Sequence, residues 1–462
     1  MKDIYLINYS VKGIKSLDQL VSLAFYKKTI SRYPQTQQYN IKGIYGINGS
    51  GKSGIVASVD ILKNLLINSG YLTNPIVQTY LDAIINYNTK KMSIAADFIA
   101  EVGNSLWFFR YEITLEKDFT GKYVISFEAL SSKKITSKKV ISRNDSLDSI
   151  YKIVNGEIVF ENRKENDEIY SLILKKTTNL LSTATICALF FEKVFVSMPN
   201  SIENRRNTLF ISLCVLFVLG KKLHVYTEQS DDHREYFLSN SLGSTKEAEK
   251  RNSELNCLLK NFMEMDCDHL NVLSVTGNIV PKRLFSHFKG VVGKLYDFLH
   301  IFKADLQGID IDKKEDHDVY VCDLVMKYAS YNVHAEFEST GIKKLIRLFA
   351  YLREMVQGGI VFIDEFDANL HDVYLCALLE YIMEYGEGQL CFTTHNVGPM
   401  DVLKQHKKSI DFLSVDHTIY PWTTDGNYSP SKLYRNGLIE GSPFNVDSID
   451  FIGVLNSDEE VV

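Results

Sequence analysis

A glycine-rich segment, GINGSGKS at residues 46–53, constrains this chain more than any other part of its sequence. It matches the pattern G-x-x-x-x-G-K-[ST], whose glycines allow successive backbone N–H groups to turn inward around phosphate oxygens. A short apolar strand is predicted at residues 43–45, and apolar residues follow at helical spacing over residues 55–66. This order of strand, glycine loop and helix predicts an α/β fold that binds the phosphates of ATP at the start of the helix.

Each part of this P-loop has a predicted role. Lys52 would reach the β- and γ-phosphates and take part in catalysis, and Ser53 would coordinate Mg²⁺. The residues predicted to bind the nucleotide here are Gly46, Asn48, Gly49, Ser50, Gly51, Lys52 and Ser53. The alternative is a plain Gly/Ser turn, which the flanking strand and helix disfavour.

A second segment, GIVFI at residues 359–363, is followed by Asp364 and Glu365. An apolar run ending in two acids is typical of a buried parallel strand with carboxylates at its C-terminal end, where open α/β sheets bind ligands. Asp364 would hold Mg²⁺ through its water shell, and Glu365 would polarise the attacking water as a general base. Many strands end in an acid before a turn, so the functional interpretation depends on the P-loop.

Two further segments are candidates for the same site. Residues 389–396 read as a buried strand that ends near His395, which could bond to a γ-phosphate or to the attacking water. A lone histidine at a strand end is more often structural. Residues 338–345 precede an amphipathic helix that Ser339 or Thr340 would cap, and capping and phosphate binding use the same free N–H groups.

The remaining pattern predicts three regions. Residues 1–166 would form an N-terminal lobe with the P-loop and an antiparallel β-subdomain, whose strands at 106–113 and 123–127 are joined by a turn at 118–121. Residues 167–308 would form a helical insertion with helices at 244–266 and 284–302. Residues 309–462 would form a C-terminal lobe with Ser339, Asp364, Glu365 and His395.

The composition narrows the partners and the cellular compartment expected for this protein. The net charge is −6, so any nucleic-acid contact would need a local basic patch. The seven cysteines include no CxxC pair and are expected to be reduced thiols in a cytoplasmic protein. The N-terminus has no signal-peptide pattern, and the longest apolar run, residues 209–219, is too short to span a bilayer. It predicts a buried helix, and no membrane association is expected.

The order of P-loop, long insertion, Ser-Thr-Gly helix, Asp-Glu strand and histidine strand resembles ABC-type ATPases of the SMC and recombination-repair kind. Within that group it resembles the compact bacterial AAA_15-like proteins related to overcoming-lysogenization-defect (OLD) ATPases. The resemblance covers residues 1–130 and 310–440. Residues 4–15 resemble the opening strand, 338–344 stand at the signature motif, 369–371 (Asn-Leu-His) resemble the D-loop, and 393–395 (Thr-Thr-His) resemble the switch histidine.

The resemblance implies an ABC-ATPase head with a mixed central sheet, an antiparallel β-subdomain and a helical insertion. Two such heads sandwich ATP head-to-tail, so the active unit would be at least a dimer. Ser339 and Gly341 would touch the γ-phosphate of the partner's ATP, and His395 would act in the same chain as Glu365. Two departures affect the gating of hydrolysis: Ile342 stands where an acidic or polar residue is usual, and Gln78 is a weak candidate for the Q-loop glutamine.

OLD nucleases carry a Toprim domain after the ATPase, and fewer than 70 residues follow His395, too few for that unit. Asp364 and Asp367 are assigned to the nucleotide site. The family analogy therefore implies a separate effector, a Toprim-like or other nuclease, as in the anti-phage PARIS, Septu-like and abortive-infection pairs. The alternatives are an SMC-like DNA-repair ATPase stimulated by DNA, and an ATP-binding interaction protein with vestigial hydrolysis.

The basic residues in two segments of the chain have two possible interpretations. They lie on the predicted edge sheet and beside the signature, and they are Lys133, Lys134, Lys138, Lys139, Arg143, Lys343, Lys344 and Arg347. Solvated surface lysines are the first interpretation. The second is a contact with nucleic acid or with an acidic phage protein that triggers the response, which would be salt-dependent.

Overall fold

The computed structural model describes residues 4–102, 105–136, 141–160, 168–195, 207–228, 273–423 and 428–443. Within these ranges the fold is mixed α/β, with four β-sheets and ten α-helices. No helix in them is long or apolar enough to cross a bilayer.

The N-terminal part contains a seven-stranded antiparallel sheet. Its strands are β1 (Ile4–Lys12), β2 (Val21–Ala24), β5 (Lys91–Val102), β6 (Ser105–Lys117), β7 (Tyr123–Ile135), β9 (Asp148–Val154) and β10 (Glu157–Val159), in the spatial order β10-β9-β7-β6-β5-β1-β2. The predicted hairpin is confirmed: β6 pairs with β7, and the Asp118 N–H closes the turn on the Lys122 carbonyl at 2.8 Å.

The second sheet has six strands and holds the P-loop. They are β4 (Ile41–Tyr45), β11 (Leu223–Tyr226), β16 (Ile360–Ile363), β17 (Gln389–Thr393), β18 (Ile410–Leu413) and β19 (Ile419–Pro421), in the order β11-β16-β17-β4-β18-β19. The first five are parallel and β19 runs antiparallel to β18. The C-terminal ends of β4, β16 and β17 therefore lie at one edge, where the loops after them meet.

Two smaller antiparallel sheets complete the β-structure. One contains β12 (Asn278–Pro281), β13 (Gly308–Asp316), β14 (Val319–Lys327) and β15 (Asn332–His334), and the other pairs β3 (Thr29–Ile30) with β8 (Ile141–Ser142). The helices are α1 (Lys52–Ile67), α2 (Pro75–Ile84), α3 (Glu168–Thr177), α4 (Ile186–Leu189), α5 (Thr208–Lys222), α6 (Phe285–Phe302), α7 (Thr340–Val356), α8 (Asp372–Tyr385), α9 (Gly398–Leu403) and α10 (Pro430–Arg435).

Two of these helices form much of the core beneath the P-loop. The apolar run at residues 209–219 is the centre of α5, and most of its side chains are buried, as predicted. Gly220 of α5 lies against Leu66 and Ile67 of α1, where a Cβ would collide with both side chains. This close approach packs the P-loop helix against α5.

The segment predicted to be helical from residue 167 to 308 contains more than helices. The predicted helix at 284–302 is confirmed as α6, whereas the one at 244–266 lies outside the described residues. Strands β11 and β12 were not predicted there. Because β11 pairs with β16, part of the expected insertion belongs to the six-stranded sheet. The division of the chain at residues 166 and 308 stays a prediction.

Candidate nucleotide-binding site

The P-loop joins the end of β4 to the start of α1, the arrangement predicted from its sequence. Gly51 is the N-cap of α1 with φ 104°, in the left-handed region that glycine favours. A Cβ at Gly51 would also collide with the side chain of Leu17. Glycine is therefore required at this position both by the backbone and by the β1–β2 connection packed against it.

Lys52 folds back over the loop that it follows. Its Nζ donates hydrogen bonds to the carbonyls of Gly46 at 2.8 Å and Ile47 at 2.9 Å. Burial lowers the pKa of Lys52 to about 8, and the negative charges of Asp364, Glu365 and Asp367 oppose that shift. The ammonium group thus lies at the loop, within electrostatic range of the acids after β16.

The loop fits a phosphate group. Ser50 is buried, and its Oγ has no hydrogen-bond partner within the described ranges, a state that a ligand oxygen would relieve. Around Gly49 no atom lies within 4 Å of a built Cβ, so there is space beside the backbone. Open space, an unpartnered hydroxyl and the Lys52 ammonium together suit an anionic oxygen ligand.

Magnesium would be held by few protein groups. No cluster of three or more His, Cys, Asp or Glu side chains suited to a metal occurs in the described residues. Mg²⁺ at nucleotide sites takes one or two protein ligands, phosphate oxygens and waters. Ser53 at the start of α1 and Asp364 after β16 fit this kind of site, so the donor set is compatible with the prediction.

The acids after β16 lie in a turn held by its neighbours. The Asp364 N–H donates to the Tyr226 carbonyl of β11 at 2.9 Å. Thr393, at the end of β17, accepts the Glu365 N–H on its Oγ1 at 2.8 Å, and the same hydroxyl donates to Asp364 Oδ1. The Phe366 N–H donates to the Thr393 carbonyl at 3.0 Å. No role was predicted for Thr393 from the sequence. A signal was present, since Thr393 carries a hydroxyl group and stands two positions before His395, near the end of the predicted strand.

His395 is exposed and lies just beyond β17. Partial desolvation by the surrounding protein lowers the pKa of His395 and the positive charge of Lys52 adds to that effect, while Asp367, Glu365 and Asp364 oppose it. The lowered pKa favours the neutral imidazole, which can accept a hydrogen bond. The P-loop with Lys52, the acids Asp364 and Glu365, and His395 therefore follow β4, β16 and β17, whose C-terminal ends lie at one edge of the sheet.

The predicted signature segment lies against the segment that resembles a D-loop, rather than against the P-loop. Ser339 is the N-cap of α7, and its Oγ accepts the Ile342 N–H at 3.4 Å. A Cβ at Gly341 would lie only 2.6 Å from the Asn369 carbonyl oxygen, so this approach requires glycine. Within one chain, the described contacts of Ser339 and Gly341 are with these neighbours and not with the P-loop.

Glu338, just before the cap, was not predicted to have a role. Its side chain is buried, accepts a hydrogen bond from the Tyr328 hydroxyl, and accepts the Ser339 N–H at 3.2 Å. It therefore fixes the start of α7 to the residues after β14.

The weak Q-loop candidate has a structural role instead. The side-chain amide of Gln78 donates to the carbonyls of Leu72 at 2.7 Å and Tyr123 at 3.0 Å, and accepts the Tyr123 N–H at 2.8 Å. These bonds join α2 to the start of β7.

The basic residues beside the signature do not form one surface group. Lys344 is 3% exposed, and its Nζ donates to the backbone carbonyl of Glu365. The interpretation as a solvated surface lysine is therefore wrong for Lys344, because α7 turns this side chain toward β16. Of the predicted edge stripe, Lys138 and Lys139 lie outside the described residues, and Arg143 Nη1 donates to Asn8 Oδ1 at 2.5 Å.

Comparison with known proteins gives a match for the C-terminal part of the chain. No curated protein sequence matches the chain. Residues 231–401, less than half of the chain, match the model of the family described as "AAA domain, putative AbiEii toxin, Type IV TA system". The matched range includes α7, the acids after β16 and His395, and leaves out the P-loop. This part of the chain is thus similar to an AAA-type ATPase domain of a family associated with abortive-infection toxin–antitoxin systems.

Proposed function

We propose that this chain binds and hydrolyses ATP and that its ATP cycle regulates a separate effector in anti-phage defence. One observation carries the ATPase proposal: the P-loop with Lys52, the acids Asp364 and Glu365, and His395 follow the C-terminal ends of β4, β16 and β17, three neighbouring parallel strands. Phosphoryl transfer needs positioned charges of this kind and little covalent chemistry from the protein.

The roles follow from the position of each group. Backbone N–H groups of Gly49, Ser50 and Gly51 and the Lys52 ammonium would bind the phosphates. The Glu365 carboxylate would accept the proton of the attacking water while the bond to the leaving ADP oxygen breaks, and neutral His395 would orient that water or the γ-phosphate. Mg²⁺, held by Ser53 and Asp364, supplies positive charge to the phosphate oxygens when bound.

We also propose that the active unit is at least a dimer. Gly341 lies against the Asn369 carbonyl after β16, and the described hydrogen bonds of Ser339 are with Glu338, Ile342 and Lys343, none of them in the P-loop of the same chain. A second copy placed head-to-tail would bring them to the nucleotide, as the resemblance to ABC-type ATPases implies. The family match supports an abortive-infection setting. The nuclease effector that we propose as the partner rests on the resemblance to ATPase and nuclease pairs alone.

The test of the ATPase proposal is Glu365→Gln, with the exposed Glu380→Gln on α8 as the matched control. Phosphate release should fall by about 10²–10⁴-fold in Glu365→Gln, while a fluorescent ATP analogue should bind as tightly as to the wild type. Glu380→Gln should match the wild type in both measurements. Wild-type turnover in Glu365→Gln would reject the base assignment, and a wild type that releases no phosphate would reject hydrolysis.

The dimer is tested with the same variant. Because Glu365→Gln should retain ATP, light scattering should show its mass doubling when ATP and Mg²⁺ are added, and Ser339→Arg should prevent this. A mass that never changes would reject the shared site.

A separate measurement distinguishes the proposed defence ATPase from the alternative, a DNA-repair ATPase. Turnover is measured with and without DNA, and strong stimulation by DNA at physiological salt favours the DNA-repair ATPase.

A further inference from the structure

Lys344 connects the helix that begins at Ser339 to the acid proposed as the general base. It lies in the first turns of α7, is 3% exposed, and donates from Nζ to the Glu365 carbonyl. A charged neighbour is Glu228, whose carboxylate lies 3.7 Å from Nζ and is half exposed. The closest described contact of the Lys344 ammonium is therefore with a backbone carbonyl oxygen, that of Glu365 in the turn after β16.

That backbone oxygen belongs to a residue in an unusual conformation. Glu365 has φ 49°, in the left-handed region that residues other than glycine rarely adopt. Its N–H donates to Thr393 Oγ1, and its carbonyl accepts hydrogen bonds from Lys344 Nζ and from the Ala368 N–H of the same turn at 3.1 Å. Strained backbone of this kind persists only where surrounding groups determine it, and here both sides of the residue are bonded to other elements.

The cost of burying Lys344 indicates that this contact is specific. Burial lowers the pKa of Lys344, and the charges of Glu228, Asp367 and Glu365 oppose the shift. A lysine is rarely buried without a partner, since desolvation disfavours its charged form. The neighbouring Lys343 has no such burial and donates to the Glu336 carbonyl at the surface, at 3.2 Å.

We propose that Lys344 is a positioning residue for ATP hydrolysis: it holds the Glu365 backbone in the left-handed conformation that aims the carboxylate at the attacking water. Because Lys344 and the Ser339 cap share α7, a movement of the signature segment when a second chain docks would be passed to the base of the same chain. This inference rests on the proposed ATPase function.

The test compares Lys344→Met, which keeps the length of the side chain and removes its donor, with Lys294→Met, at an exposed position of α6, as the control. Lys344→Met should lower kcat by about 10–100-fold, the usual effect of removing a group that orients a ligating or reacting residue. Affinity for a fluorescent ATP analogue and KM should stay within about twofold. Lys294→Met should leave kcat unchanged, and Lys344→Arg should recover part of the activity lost in Lys344→Met.

Two readouts separate positioning from a general structural effect. Retention of ADP with aluminium fluoride, which mimics the transferring phosphoryl group, should fall in Lys344→Met and not in Lys294→Met. In a Glu365→Gln background, Lys344→Met should lower this retention no further, because the two changes act through the same carboxylate. If Lys344→Met does not fold, the pair Lys344→Met with Glu228→Gln removes both charges and is judged by the same criteria.

The outcomes distinguish the inference from the function on which it rests. A wild type that releases phosphate, with kcat unchanged in Lys344→Met, overturns the role of Lys344 alone. A parallel loss of ATP affinity and kcat, or a further loss in the Glu365→Gln background, also overturns it. A wild type that releases no phosphate overturns the proposed hydrolysis and the inference with it.

Discussion

Gln389 bonds to the backbone of Leu6 with both ends of its side-chain amide. The Leu6 N–H donates to Gln389 Oε1 at 2.6 Å, and Gln389 Nε2 donates to the Leu6 carbonyl at 2.9 Å. Leu6 is paired with Phe98 of β5 on one side of β1, and β2 pairs with the other side only from Asn8 onward, so the glutamine side chain takes the place of a β2 partner at Leu6. These two bonds fasten the seven-stranded sheet to β17, the strand that leads to His395.

Gln389→Leu should destabilise the fold strongly, although it changes the volume of the side chain very little. The substitution nearly preserves volume but leaves the buried N–H and C=O of Leu6 unpaired, at about 1–3 kcal/mol for each group. Urea unfolding should show a loss of about 2–5 kcal/mol. Gln19→Leu, at an exposed position, should change stability by less than about 0.5 kcal/mol. Equal stability of the two variants would contradict the role of Gln389.

The buried ion pair of Lys42 and Asp411 should behave differently from an exposed pair. Lys42 Nζ lies 2.7 Å from Asp411 Oδ2, and the two side chains are 1% and 3% exposed. Lys42→Met would leave an unpaired buried carboxylate and should cost about 3–5 kcal/mol in unfolding measurements, whereas Lys42→Met with Asp411→Leu should recover most of it.

The control for that pair is Lys91 and Glu116, which lie 3.3 Å apart at the surface. Lys91→Met should cost less than about 1 kcal/mol, because exposed ion pairs contribute little. A double replacement at Lys42 and Asp411 that stays as unstable as Lys42→Met would show that the apolar pair cannot pack there.

ATP affinity should weaken at alkaline pH because of Lys52. Its pKa is lowered to about 8, so the ammonium loses its charge as the pH rises through that value. If the charged form alone binds well, the Kd for ATP should rise about tenfold between pH 7 and pH 9. Titration calorimetry in matched buffers measures this and should detect proton uptake on binding. Lys52→Met should bind weakly with a Kd that does not change over the same range.

Thr393→Val should reduce turnover more than it reduces ATP binding. The substitution keeps the shape and removes the hydroxyl that accepts the Glu365 N–H and donates to Asp364. A kcat lowered by about 10–100-fold is expected for the loss of such an orienting group. Thr393→Ser, which keeps the hydroxyl, should retain most of the activity. Equal rates in the Val and Ser variants would exclude the hydroxyl from this role.

Local patterns predicted much of the fold. The P-loop with its strand and helix, the hairpin of β6 and β7, the buried helix α5 and the cap at Ser339 each depend on a run of neighbouring residues whose spacing is decisive. The strand β11 was missed because Leu223–Tyr226 (Leu-His-Val-Tyr) is only four residues long and directly follows a helix, so periodicity cannot separate it from more helix. Its pairing with β16 is set by tertiary structure.

The parts of the site that could not be predicted depend on single long-range contacts. Lys344 reads as one of three neighbouring basic residues, and only the position of α7 against β16 brings its ammonium to the Glu365 carbonyl. Thr393 and Glu338 are ordinary residues in sequence, and their partners come from adjacent strands or from the end of β14. Such roles require the folded chain.

The strand order of the six-stranded sheet has a consequence for synthesis. β4 emerges early from the ribosome, but its two partners, β17 and β18, lie at residues 389–393 and 410–413. A parallel sheet with such distant pairings forms slowly, and its first strand stays unpaired until both partners have been made. The P-loop therefore has no finished sheet beneath it during most of translation, and nascent chains interrupted before residue 410 are expected to be unable to hold ATP.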